Sequence, residues 1–370
     1  MDFEFPPDTL KLRDLLRRFV QKEVRPLEMK YFSAGRLEPE ERARLRQAIE
    51  QMGLWGATVP EELGGAGLDP ITACLLEEEL GGTFIPLDMG EVPSLLYRCS
   101  EQQTSRYLEP ALAGERRAIV AAREAEGLRP DSWTTTADGA DGEYVLQGRK
   151  TLAGRPDEGD FFIVLARSPE GVTAFLLEQG TSGTRVESAP GSAAAGSNHT
   201  LLLEGCRLGS QAVLGEPGKA LTALAERGPQ EWIRTGARYV GMVERLRTMA
   251  AEHARDWVSL GEPLGVRPAV QRMLADLSAE VEAGRWLVYH AAWLADGGQP
   301  VRAAAARVRL FTGELLQRAI DRVTMIYGGP SPSAQVLPHR LARSAVPAET
   351  LELALEYARA VLAAEALQGS

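Results

Sequence analysis

Apolar positions follow a helical period at both ends of the chain and lose it in the middle. Near the start, Leu12, Leu15, Leu16, Phe19 and Val20 fall on one stripe, which predicts a helix capped by Asp8. It is expected to stop near Val24, because Arg25-Pro26 disfavours helix. A second helix is predicted from Pro39 to Met52, with Leu45, Ala48, Ile49 and Met52 inward and Gly53 after its end. Pro70 to Leu80 reads as a third, closed by Gly81-Gly82, and Pro93–Cys99 and Gln103–Ala113 as two short ones. From Ala118 to Leu214 the period changes. Short runs rich in β-branched and aromatic residues, such as Phe161 to Leu165 and Val172 to Leu177, alternate with Gly, Asp, Pro and Ser clusters, which is the signal for strands joined by turns. Helical spacing returns in four long stretches, Glu231–Arg255, Val266–Ala295, Val301–Tyr327 and Pro347–Leu367, the pattern of a four-helix bundle. The small-residue stretch Ala189–Ser197 reads as a flexible loop. A β segment between two helical blocks predicts an embedded all-β domain. Clefts between unlike domains are frequent cofactor sites, so this segment is expected to form one wall of such a cleft.

Composition narrows the picture. A chain of 370 residues with 44% hydrophobic and 25% charged residues is that of an ordinary globular protein with two or three domains. The net charge of −10 argues against general nucleic-acid binding. Cys74, Cys99 and Cys206 are too dispersed for a disulfide framework, which suits a reducing cytoplasm. Met1 to Pro7 does not read as a signal peptide, and no apolar run is long enough to span a membrane. His199, His253, His290 and His339 show no ligand spacing, so no metal site is expected, and His253 reads as a helix-surface or packed residue. Gly215 to Lys219 lacks the spacing of a P-loop.

The loop from Gly53 to Asp69 contains Gly-Leu-Trp-Gly, then Pro60-Glu-Glu-Leu-Gly-Gly-Ala-Gly. It resembles a stretch of the acyl-CoA dehydrogenase family, Gly-Leu-x-Gly-x-x-x-Pro-Glu-x-x-Gly-Gly-x-Gly. Tyr144 to Thr151, Gly171 to Leu177, Leu214 to Lys219, Leu274 to Tyr289 and Ile326 to Gly329 are similar to later segments of the family, so the resemblance covers nearly the whole chain. It implies a fold that is mostly α with a central β-barrel domain. The N-terminal helical domain would be 1–117, the middle β-barrel domain 118–214 and the C-terminal four-helix bundle 215–370.

The resemblance also implies FAD held between the β domain and the bundle, near a subunit interface, and α,β-desaturation of an acyl-CoA thioester. Electrons would pass to an electron-transfer flavoprotein, and the chain would form a homodimer or homotetramer. The family's Leu-Thr-Glu-Pro segment reads Ala122-Arg123-Glu124-Ala125, and its Trp-Ile-Thr/Ser-Asn strand reads Leu152-Ala153-Gly154-Arg155. On the pyrophosphate side, Trp257 replaces an arginine, Pro268 a glutamine, and Met325 to Gly329 keeps the Gly328-Gly329 pair, which also reads as a helix C-cap. Backbone donors at Ala122 and Arg123 could reach a flavin without help from side chains. Counting back from Val240-Gly241 sets Glu231 at the place of the base in a minority of the family. Glu349, near the more common place, is the second candidate. Glu231 also reads as a first-turn residue partnering the helix dipole. Arg234, Arg238, Arg245 and Arg247 read as a solvated, salt-linked helix face with Glu231 and Glu244, the alternative being contact with a CoA phosphate. The eroded flavin segments leave a second reading, a non-catalytic or half-active subunit in a hetero-oligomer with a better-equipped homologue.

Overall fold

The computed structural model describes residues 4–124, 132–140, 142–153, 156–188, 198–328 and 348–368. The helices are α1 (Pro7–Phe19), α2 (Glu28–Ala34), α3 (Pro39–Gln51), α4 (Pro70–Leu80), α5 (Glu101–Gln103), α6 (Glu109–Leu112), α7 (Ala220–Asp256), α8 (Pro268–Asp296), α9 (Arg302–Tyr327) and α10 (Ala348–Gln368). The strands are β1 (Ala118–Ala121), β2 (Thr136–Ala140), β3 (Glu143–Ala153), β4 (Phe161–Ser168), β5 (Gly171–Glu178), β6 (Thr184–Ser188), β7 (Asn198–Gly209), β8 (Val213–Leu214), β9 (Val258–Ser259) and β10 (Glu262–Pro263). The described residues divide into two compact units: 4–89 with 229–328 and 354–368, and 90–228 with 348–353.

The first unit is helical. Pro6 occupies the N-cap of α1, so Asp8 does not cap it; its carboxylate instead takes a hydrogen bond from Lys11 Nζ at 2.8 Å. At Arg25-Pro26 the chain tightens through a π turn and a 3₁₀ turn and re-enters helix as α2, which the proline signal concealed. α4 starts where its pattern predicts, with Asp69 Oδ1 accepting from the Thr72 amide at 2.8 Å. Most of its side chains are buried, so it is a central rather than a surface helix. Three consecutive glutamates tie it outward. Arg238 of α7 donates to Glu77 at 2.6 Å, and Arg17 of α1 to Glu79 at 2.6 Å. Glu78 accepts from Arg285 at 2.9 Å and from the Tyr289 hydroxyl at 2.7 Å, both on α8. The backbones of α4 and α7 nearly touch: a Cβ on Gly241 would lie 1.9 Å from the Glu78 carbonyl oxygen, and one on Gly81 2.2 Å from that of Arg238. α7, α8 and α9 pack at Gly284, whose neighbours are Val240, Phe311 and Leu315, and α10 adds Ala358 and Val361 against Ala306 and Trp232.

The second unit is built on a mixed sheet ordered β6-β7-β3-β2-β4-β5-β8, with β1 added in parallel to β4. Among the described residues no pairing joins β6 to β8, so the expected β-barrel is found as an open sheet path. β4 is buried on both faces, which explains its unbroken apolar run. Phe162 and Val164 enter the core with Leu146, Leu152 and Phe175, and Phe161 meets Tyr107 edge-on at 4.9 Å. The turns around α5 are fastened to the sheet by Gln103 Nε2, which donates to the Gln211 and Val213 carbonyls at 2.9 and 2.7 Å.

Candidate functional site

β1 ends at the buried Ala121, and the next three residues run beside β3. Arg123 forms a bridge with Thr151, whose amide donates to the Arg123 carbonyl at 2.8 Å. The two segments expected to face a flavin, Ala122–Glu124 and Leu152–Ala153, are thus neighbours although 28 positions separate Glu124 from Leu152. No hydrogen bond among the described residues engages the N–H or C=O of Ala122, which is partly exposed. That donor–acceptor pair suits the pyrimidine edge of an isoalloxazine, which offers alternating acceptors and an N–H. Leu152 itself is a core residue with no exposed surface, and Ala153 pairs by its backbone with Asn198. Gly154 lies outside the described residues.

The Glu124 side chain does not point to a ligand. One oxygen accepts from the Thr134 amide at 2.5 Å and the Thr134 hydroxyl at 2.9 Å. The other accepts from the Thr135 amide at 3.1 Å and from Lys150 Nζ at 2.8 Å. Burial alone would raise the Glu124 carboxyl, but these donors outweigh it and hold it at about 2. Lys150 lies 4.0 Å from the centroid of the Trp133 ring, and burial pulls its ammonium below the usual lysine range against the opposing pull of Glu124. Sequence reasoning took Lys150 only as part of a matching segment. The missed signal was its register: past the bulge at Leu146/Gln147, it shares a strand face with the buried Leu152.

In the helical unit, Trp257 follows the C-terminus of α7, half exposed, and stacks on His253 at 5.5 Å, which stacks on Tyr327 at 4.1 Å. Trp257 therefore lies beside the end of α9, where Met325 is exposed and Gly328 takes the capping position with φ +63° and its amide bonded to the Thr324 carbonyl. His253 is packed, its pKa lowered by burial, and its Nε2 has no hydrogen-bond partner among the described residues. Gly329 lies outside the described residues.

Glu231 is half-buried inside α7, eleven residues after the helix begins at Ala220, so the first-turn dipole reading is corrected. The helix runs through Gly228-Pro229, ahead of the predicted start at Glu231. Trp232 meets Tyr357 of α10 edge-on at 5.4 Å. Glu349 belongs to the first turn of α10, and its side chain lies outside the described residues. The arginine face of α7 is divided: Arg247 pairs with Glu244, while Arg238 reaches α4. Gly218 donates its amide to Thr173 Oγ1 at 2.7 Å, a structural use of the glycine-lysine turn. No cluster able to hold a metal occurs among the described residues, and no helix there is long and apolar enough to cross a membrane.

Residues 6–115 match the acyl-CoA dehydrogenase N-terminal domain and residues 226–367 the C-terminal domain. The chain is 31% identical over 356 residues to (R)-benzylsuccinyl-CoA dehydrogenase of Thauera aromatica, covering 89% of this chain and 88% of that one. The chain belongs to the acyl-CoA dehydrogenase family. It is also 29% identical over 344 residues to benzylmalonyl-CoA dehydrogenase of Aromatoleum aromaticum, covering 89% of this chain and 90% of that one. A solved structure of a putative acyl-CoA dehydrogenase from Mycobacterium abscessus shares the fold with a TM-score of 0.88 at 23% identity, over 99% of both chains. As a member of this family the chain is an acyl-CoA dehydrogenase, an oxidoreductase acting on acyl-CoA thioesters.

Proposed function

We propose that this acyl-CoA dehydrogenase is FAD-dependent and desaturates an aryl-substituted acyl-CoA at the α,β position, passing electrons to an electron-transfer flavoprotein. The observation that carries the cofactor assignment is the Arg123–Thr151 bridge, which sets two family flavin segments side by side and leaves the Ala122 backbone open. Ala122 would hold the ring system by backbone, which tolerates the loss of the family's threonine and tryptophan side chains, while Arg123 keeps that segment beside Thr151. On the pyrophosphate side the family resemblance offers Trp257, an aromatic face in place of an arginine fork. When bound, FAD supplies the acceptor for the β-hydrogen and its electron pair.

Glu231 is the proposed base. It would take the α-proton onto a carboxylate oxygen, next to Trp232, whose ring meets Tyr357 edge-on. Glu349 is the alternative base. The aryl substrate class is supported by the names of the two relatives, one acting on benzylsuccinyl-CoA and the other on benzylmalonyl-CoA.

A purified chain carrying a visible flavin band that denaturation releases is the expected result. Glu231→Gln is expected to lose roughly 10²- to 10⁴-fold in turnover with the same circular dichroism; undiminished turnover would transfer the role to Glu349. The alternative, a supporting subunit paired with a catalytic homologue, is favoured by one feature, the exposed tryptophan at position 257 where a phosphate-binding arginine would be expected. A colourless chain that acquires flavin only with such a partner would establish it.

A further inference from the structure

Glu124 and Lys150 have no exposed side-chain surface, and their oxygen and nitrogen are 2.8 Å apart. A buried ion pair is a poor way to gain stability, since apolar residues of similar volume commonly serve as well or better. What such a pair does well is fix one arrangement. Glu124 is bonded at once to Lys150 on β3 and to the Thr134 and Thr135 amides ahead of β2. One residue earlier, the Arg123 carbonyl is bonded to the amide of Thr151, the residue after Lys150. A backbone bond and a side-chain bond to adjacent β3 residues together forbid sliding of this segment along the strand, because a one-residue slip would turn Glu124 to the opposite face. The open N–H and C=O of Ala122 are carried on the segment so fixed.

We propose that the Glu124–Lys150 pair is a positioning element for the flavin, holding the Ala122 backbone at the register where it meets the pyrimidine edge of the ring system. Neither side chain touches the cofactor in this scheme, and the inference rests on the FAD reading given above. The pair acts through the backbone, so its loss is read in how flavin is bound rather than only in whether the protein folds.

The test is the double variant Glu124→Gln/Lys150→Met in the full-length chain, which keeps a carbonyl acceptor for the Thr134 amide but cuts the side-chain tie to β3. FAD is titrated into apo wild type and apo variant, following flavin fluorescence and the shape of the near-450-nm absorption band. The expected result is an affinity about tenfold weaker in the variant, the equivalent of one aligned hydrogen bond, with a band closer to that of free FAD. Equal affinity and an identical band in a folded variant would overturn the inference and leave the FAD reading standing. A wild-type chain that does not bind FAD at all would remove the FAD reading and this inference with it. Should the variant fail to fold, hydrogen exchange on the wild type decides. FAD is expected to slow exchange at the Ala122 amide, whereas the Thr151 amide is protected with or without it. An Ala122 amide indifferent to FAD would overturn the proposal.

Discussion

Lys150 carries an ammonium group to a position with no solvent around it, and its partners show what that requires. A lone buried charge would be expelled or neutralised; here a carboxylate and an indole face replace water. Glu124 is the better served of the two, with two amides, a hydroxyl and the ammonium around its oxygens. Its folded pKa of about 2 lies below its ordinary 4.5, so it binds protons less readily when folded. The stability that follows is present above about pH 4.5 and is lost as pH falls toward 2. Glu124→Gln is therefore expected to cost about 3 kcal/mol at neutral pH, because it strands the ammonium. In urea titrations the gap between wild type and variant should narrow between pH 4.5 and 2; a gap independent of pH would show that the carboxylate is not the stabilising form. At this scale the sequence was only half legible. Glu124 stood out by matching a family segment, yet its use could not be read, because the pairing joins residues 26 positions apart across strands. Lys150 was legible in principle as a charge in a core-facing register. Conversely, Asp8 looked like a cap only because Pro6-Pro7 was not read as the helix start.

Helices were legible where their termini carry their own chemistry and illegible where tertiary packing overrides it. α4 matches its predicted span because Pro70, Asp69 and Gly81 each act within one turn. α7 begins eleven residues before the predicted Glu231, since Pro229 forgoes only one backbone bond and the helix passes through it. Strand runs showed the sheet, but its open path and the parallel addition of β1 to β4 depend on long-range pairings with no local signal. The α4–α7 crossing provides a quantitative check on element packing. Gly241→Ala would push a methyl into the Glu78 carbonyl, a backbone atom that cannot step aside, and is expected to cost about 3 kcal/mol. Gly284→Ala, in α8, would meet only side-chain carbons of Leu315, Phe311 and Val240 at 3.3 to 3.4 Å. There the gain in helix propensity offsets the crowding, and the net change should stay within about 1 kcal/mol. Denaturant midpoints of the two variants measure the contrast; equal losses would mean that the crossing relaxes as easily as a side-chain contact.

For the molecule as a whole, the family was legible because its motifs are spread from Gly53 to Gly329, and no single eroded segment removes them all. Whether the chain keeps a flavin depends on something a motif cannot express, namely whether backbone groups do the work that lost side chains did. Linkage turns that into a measurement. A ligand that binds only the folded chain stabilises it by about 2.7 kcal/mol when present at a hundred times its dissociation constant. Unfolding entropy scales with the number of residues that melt together, so the same free energy raises the midpoint by about 3 °C if all 370 residues unfold in one step. If the sheet-bearing unit, residues 90–228, melts by itself, the rise should be roughly two to three times larger and confined to its own transition. Scanning calorimetry of the apo chain with and without FAD separates these cases. A rise in either form is the behaviour of a chain that binds flavin unaided. Superimposed traces at saturating FAD would leave this acyl-CoA dehydrogenase dependent on a second subunit for its cofactor, since a fold that gains no free energy from the ligand does not hold it.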